Sequence, residues 1–276
     1  MIPNHLKSRW AAGRATINGW LSMGSAFVAE IMAEQGYDSL TVDIQHGFLD
    51  YTAATGMLQA LRASGVTPLV RVPWLEPGII MKSLDAGAYG VICPMVNSRD
   101  QAAALVDAMR YPPEGNRSFG PTRANVSAGP NYAMEANDNV LALAMIETAE
   151  ALNNVEDICR TPGLDGVYIG PADLALGVSA GRLAPGMDRE EAEMVSAIDR
   201  IRRAARAAGI RAGIHCGTPE YAARAIDWGF DMVTLSSDAR ILAAAAASGI
   251  DRIRQLTDGV SELDGTTGLS DDGGGY

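Results

Sequence analysis

Ser39-Leu40-Thr41-Val42-Asp43-Ile44-Gln45-His46-Gly47, followed almost at once by Tyr51–Ser64, decides the fold. Its opening residues form a short, largely apolar and β-branched run, which fits a strand buried on both faces. The stretch after it is rich in Ala, Met and Leu at helical spacing and is closed by Gly65, where a helix end wants a left-handed residue. The same unit recurs along the chain. Strands are expected near Ala15–Trp20, Ser39–Asp43, Pro68–Arg71, Gly90–Pro94, Leu141–Glu147, Gly166–Ile169, Ala212–His215 and Met232–Leu235. Helices are expected at Ser25–Gln35, Tyr51–Ser64, Pro77–Ala86, Arg99–Arg110, Ala149–Arg160, Arg189–Ala208, Pro219–Trp228 and Arg240–Leu256. Eight strand–helix units in about 250 residues is the size of a (β/α)8 TIM barrel. A doubly wound sheet would have fewer strands and a G-x-G-x-x-G after the first, and none stands there.

A chain of 276 residues with 47% apolar content can fill one such core, so residues 1–256 are expected to form a single barrel domain. Tyr111–Asn139, with Pro112-Pro113-Glu114-Gly115, Gly120-Pro121 and Gly129-Pro130, is expected to be a long irregular loop serving as a lid, a binding loop or a subunit contact. From Thr257 to Tyr276 the composition turns to Gly, Ser, Thr and Asp, the signature of a disordered tail. The net charge of −11 argues against a nucleic-acid surface, which needs clustered Lys and Arg. No apolar run approaches the roughly 18 residues of a membrane span. Cys93, Cys159 and Cys216 lack the spacing of a disulfide framework or zinc site. These features point to a soluble protein of the reducing cytoplasm.

Strand C-terminal ends converge on one mouth of a barrel, and four chemically apt residues fall there: His46, Arg71, Glu147 and Asp173. Glu147 and Asp173 close two successive strands and offer hard oxygen ligands suited to Mg²⁺, Mn²⁺ or a similar divalent ion. Each has a plainer reading, Glu147 capping the next helix and Asp173 capping a turn. Gly170-Pro171 makes a tight turn whose backbone N–H groups suit an anion. His46 stands three residues after Asp43, whose carboxylate could orient the imidazole as a general base. Arg71 could hold a substrate carboxylate or a developing enolate oxygen, or pair with Asp43 on the neighbouring strand, or both. His215 also ends a strand and is assigned only as a lining residue, while His5, in an N-terminus expected to be mobile, receives no role. A Schiff-base mechanism is excluded on this reading. The only lysines, Lys7 and Lys82, fall before the first strand and within an outer helix, so carbanion chemistry would need a metal as electron sink.

Taken together, Asn18-Gly19-Trp20, Asp43-x-Gln45-His46-Gly47, Arg71-Val72-Pro73-Trp74, Arg110-Tyr111-Pro112-Pro113-x-Gly115-x-Arg117, Ile146-Glu147-Thr148 and Ile169-Gly170-Pro171-Ala172-Asp173-Leu174 resemble the HpcH/HpaI aldolase family over roughly Thr16 to Leu256. The resemblance implies a metal-dependent class II pyruvate aldolase using Mg, Mn or Co. Glu147 and Asp173 would be the metal ligands, His46 and Asp43 the acid–base dyad, and Arg71 the residue on the pyruvyl oxygen. The substrate carboxylate would meet Gly170, Pro171, Ala172 and Asp173, with Trp20, Gln45 and His215 lining the pocket. Many members have Glu where Gln45 stands and Gln where Met145 stands, which bears on the water network and acceptor preference. The family also implies a homo-oligomer, a hexamer built as a trimer of dimers with exchanged C-terminal helices.

The expected reaction is reversible aldol cleavage of a 4-hydroxy-2-oxo acid to pyruvate or hydroxypyruvate and an aldehyde. The rivals are a related lyase acting on acyl-CoA or decarboxylating oxaloacetate, and a non-catalytic barrel that binds a 2-oxo acid.

Overall fold

The computed structural model describes residues 1–261, with side chains through residue 257. Eight parallel strands close into a barrel in chain order: β1 (Thr16–Leu21), β2 (Ser39–Asp43), β3 (Thr67–Arg71), β4 (Gly90–Cys93), β5 (Leu141–Ile146), β6 (Gly166–Ile169), β7 (Arg211–Cys216) and β8 (Met232–Leu235). The (β/α)8 expectation therefore holds, and every strand end falls within a residue of its expected place. Inter-strand pairing on every side leaves no open edge, and an outer ring of helices covers the strands' outer faces.

Two cores result. Strand residues facing outward pack with Leu58, Leu84, Leu105, Ile158, Ile201 and other helix residues into one large apolar cluster. Those facing inward form a second: Trp20, Leu69, Ile92, Leu141, Leu143, Met145, Tyr168 and Met232, joined by Leu6 and Trp10. Leu6 and Trp10 lie four residues apart on helix His5–Ala11 and so share one face, which brings both into the barrel's interior cluster. Asn4 caps that helix by accepting from Leu6 N–H, and Trp10 Nε1–H donates to Thr16 Oγ1 at 3.0 Å. The N-terminus is thus fixed in place, contrary to the sequence expectation, because an amphipathic helix of only seven residues gives too short a periodic signal.

Residues 111–139 also differ from the expected irregular loop, since they contain helices Thr122–Ala128 and Tyr132–Asn139. Buried Arg117 anchors this excursion. Its guanidinium donates to Asp85 Oδ1 at 2.7 Å and Tyr132 Oη at 3.0 Å and lies over the Tyr111 ring. A further helix, Pro171–Val178, follows β6 directly.

The chain divides into two units, Met1–Asp238, which holds the whole barrel, and the stretch from Ala239 onward. Helix Asp238–Ser261 runs five residues past its expected end, and along it Leu242, Ile250, Ile253 and Leu256 are exposed. The tail expected to be disordered lies, from residue 262, outside the described residues.

Candidate active site

Parallel register places Asp43 opposite Arg71 at the C-terminal ends of β2 and β3. Arg71 uses this directly: Nε–H donates to Asp43 Oδ1 at 2.8 Å and an Nη2–H to Oδ2 at 2.5 Å, a bidentate pair. Trp20 Nε1–H donates to the same Oδ2 at 3.1 Å, and the Arg71 guanidinium lies 4.7 Å from the Trp20 ring centroid. Burial alone would raise the Asp43 pKa. The hydrogen bonds and charge of Arg71, aided by the His46 backbone N–H and Trp20, reverse this and hold the carboxyl below its usual value. Arg71 Nη1 has no protein acceptor among the described residues, so one end of the guanidinium still offers donors to the mouth.

The backbone turns sharply after Asp43, whose Oδ1 accepts from the main-chain N–H groups of Gln45 at 3.1 Å and His46 at 3.2 Å. A Cβ at Gly47 would stand 2.1 Å from the Asp43 carbonyl oxygen, so this turn admits only glycine. The expected Asp43–His46 dyad needs correction in its geometry. Asp43 holds the His46 backbone, and the imidazole is exposed at the mouth with no carboxylate partner among the described residues. Asp43 has spent its oxygens on Arg71, Trp20 and two amides, leaving none for the ring.

Glu147 follows β5 and is buried, with 3% of its surface exposed. It does not cap the next helix; Thr148 does, accepting from Ala151 N–H. Instead Glu147 Oε1 accepts from Met95 N–H at 2.8 Å, and Met95 adopts the left-handed φ of 55° to deliver it. Such a backbone in a residue other than glycine is costly and concentrates at functional sites. Burial pushes the Glu147 pKa up to about 7; the Met95 amide opposes this, the neighbouring charge of Asp173 adds to it and Arg71 offsets part. Oε2 accepts no hydrogen bond from the described residues. It lies against Gly170, where a Cβ would come within 2.6 Å of it.

Gly170 is the N-cap of helix Pro171–Val178, so Asp173 sits in the first turn, exposed, rather than capping. No side chain caps this helix. The N–H groups of Ala172 and Asp173 therefore have no intrahelical acceptor, the condition under which a helix N-terminus can receive an anion. Pro171, at the first helical position, costs no hydrogen bond there.

His215 does not offer a free nitrogen to the mouth. Nδ1 lies 3.1 Å from Tyr168 Oη and Nε2 lies 3.1 Å from the Ser236 carbonyl, while the ring meets Trp20 edge-on at 4.9 Å. It belongs to a buried polar ladder that sequence reading missed. Asn18 Nδ2–H donates to Thr234 Oγ1 at 2.9 Å, Tyr168 Oη is 2.8 Å from the same oxygen, and Ser39 and Thr41 donate to Asn18 Oδ1. The ladder and the stacked Tyr168 ring, 5.8 Å from Trp20, fix the floor on which Arg71 rests. Polar residues at alternate positions of β1, β2 and β8 were the available signal. Gln45 is half-buried, and Met145 is buried within the interior cluster.

A divalent ion would fit the donor set. Glu147 and Asp173 are like charges that interact, one is buried with an unshared oxygen, and Gly170 leaves open the space beside it. Among the described residues no cluster of three or more His, Cys, Asp and Glu exists, so substrate and water oxygens would complete the shell.

The family profile described as HpcH/HpaI aldolase/citrate lyase matches residues 17–260. A hydroxypyruvate/pyruvate aldolase of Rhizorhabdus wittichii is 45% identical over 253 residues, covering 92% of this chain and all of that protein. A 5-keto-4-deoxy-D-glucarate aldolase of Klebsiella pneumoniae is 33% identical over 257 residues, covering 92% and 98%. The crystal structure of an HpcH/HpaI aldolase/citrate lyase family protein from Burkholderia cenocepacia superposes with a TM-score of 0.84 at 32% identity, covering 91% of this chain and 99% of that one.

Proposed function

The chain belongs to the HpcH/HpaI aldolase/citrate lyase family and is a carbon–carbon lyase of the aldolase type, and we propose that it cleaves 4-hydroxy-2-oxo acids, with a divalent ion held by Glu147 and Asp173. The observation that carries this reading is the buried Glu147 carboxyl, its pKa pushed up to about 7 by burial and by Asp173, with Oε2 unshared beside Gly170. The donor product is pyruvate or hydroxypyruvate, as the name of the Rhizorhabdus relative suggests.

Mg, Mn or Co bound there would act as a Lewis acid, drawing off the electron density released as the C3–C4 bond breaks. The Ala172 and Asp173 N–H groups receive the substrate carboxylate. Arg71, braced by Asp43 and Trp20, turns Nη1 toward the 2-oxo oxygen and offsets the charge that grows on it. His46, exposed at the mouth, takes the C4 hydroxyl proton during cleavage and returns it in the synthetic direction. Trp20, Gln45 and the edge of His215 shape the floor. Leu242, Ile250, Ile253 and Leu256 give the C-terminal helix an apolar face for a second copy, in keeping with a homo-oligomer, a hexamer in the family's manner. None of the described helices is long and apolar enough to cross a membrane, and three buried free cysteines suit a reducing cytoplasm.

The test measures pyruvate release from a racemic 4-hydroxy-2-oxo acid by protein stripped with EDTA and resupplied with Mn²⁺. Activity should vanish on stripping and return with the metal. His46→Ala should lower turnover by about 10²–10⁴-fold with Mn²⁺ affinity unchanged, whereas Glu147→Gln should lose Mn²⁺. Equal metal loss in both variants would refute the division of roles.

A further inference from the structure

The molecule carries a second cavity whose lining mixes apolar side chains with two guanidinium groups. Ile2, Leu58, Val66, Pro68 and Tyr89 supply apolar walls, and Arg62 and Arg123 line the same space. Thr67 and Pro68 open β3, so this cavity sits at the strands' N-terminal end, opposite the Arg71 end that faces the catalytic mouth. The cavity opens to one side and has a volume of about 90 Å³.

Arg123 is fixed. Its Nη2–H donates to the Leu58 carbonyl at 2.9 Å and its Nη1 to the Ala86 carbonyl, so it ties together the ends of helices Tyr51–Ala60 and Pro77–Asp85. Neither bond supplies a negative charge. Arg62 is exposed and has no acidic or carbonyl partner among the described residues. Burial first, and then the charge of Arg62, hold the Arg123 pKa below its usual value, so the two guanidinium groups repel each other across the cavity. The adjoining groove shares His5, Gly65 and Val66 with this cavity and adds Arg9 and Arg14; its acid, Asp38, is already paired with Arg9. In a chain of net charge −11 such a local excess of positive charge stands apart.

We propose that this cavity is a binding site for a short-chain organic carboxylate, its apolar body against Leu58, Val66 and Tyr89 and its carboxylate between Arg62 and Arg123. A bare inorganic anion would leave the apolar walls unused, and a neutral molecule would leave the guanidinium repulsion in place. The site is independent of the aldolase reading, because it shares no residue with the catalytic mouth.

Isothermal titration of EDTA-stripped protein with 3-methylbutanoate tests it. Saturable binding at one site per chain is expected, weakened about five- to tenfold by Arg62→Ala and by replacing the acid with 3-methylbutanamide. Arg71→Ala should leave this binding unchanged. Failure to saturate, equal affinity in Arg62→Ala, or loss of binding in Arg71→Ala, which would move the ligand to the catalytic mouth, would each overturn the proposal.

Discussion

Gly170→Ala adds one methyl group against the Glu147 carboxylate. The φ of −95° at Gly170 is open to alanine, so the backbone itself imposes no strain. The new Cβ would stand 2.6 Å from Glu147 Oε2 and 3.0 Å from Met145 Cε. Ordinary contact begins near 3.4 Å, so Oε2 must retreat by roughly 0.8 Å. The far end of a glutamate can do this, and the fold should survive with a loss of about 1–3 kcal/mol, the range for overpacking a tight site. Metal coordination is less forgiving, since ligand distances hold to within about 0.2 Å. Displacing one of two protein ligands should weaken Mn²⁺ binding by about 10–100-fold. Electron paramagnetic resonance of free Mn²⁺ during titration gives the affinity, and urea unfolding gives the stability on the same samples. A folded Gly170→Ala variant with wild-type Mn²⁺ affinity would refute the placement of the ion beside Gly170.

Two further outcomes follow from groups outside the metal ligands. The Asp43 carboxyl is held below its usual value of 3.8, so its pairing with Arg71 stabilises the fold fully above about pH 4 and is lost as pH falls through the depressed value. Asp43→Asn should cost about 2 kcal/mol at pH 7 and flatten the decline in stability below pH 4, followed by urea midpoints across pH; an acid limb as steep as that of the wild type would contradict the pairing. Trp10→Ala should empty part of the interior cluster and cost about 3–5 kcal/mol by urea unfolding, and a loss under 1 kcal/mol would show that the N-terminal helix does not belong to the barrel core.

The strands were legible because most are short apolar runs bounded by polar residues, Gly or Pro, and a strand buried on both faces leaves little other reading for Leu141–Ile146 or Gly166–Ile169. The placement of Glu147, Asp173, Arg71 and His46 at or just past strand C-terminal ends was legible for a related reason, since those ends share one mouth whatever their separation in sequence. Which atoms they use was legible only in part. Pairing of Asp43 with Arg71 on the neighbouring strand was among the expected readings, and the strands' register realises it; that it leaves no Asp43 oxygen for the His46 ring was hidden, because register is invisible until the barrel closes. The Asn18–Thr234–Tyr168 ladder was hidden for the same reason: Asn18 and Thr234 are 216 residues apart and meet only because β1 pairs with β8. Helix His5–Ala11 is too short to declare itself by periodicity.

The central claim is that Glu147 and Asp173 together hold one divalent ion, and direct counting of bound Mn²⁺ in wild type, Glu147→Gln, Asp173→Asn and the double variant tests it. One ion per chain should bind the wild type, each single variant should lose about 100-fold in affinity, and the double variant should lose little more than either, because ligands of one ion are not additive. An Asp173→Asn variant that binds Mn²⁺ as the wild type does, or losses that simply sum, would contradict it.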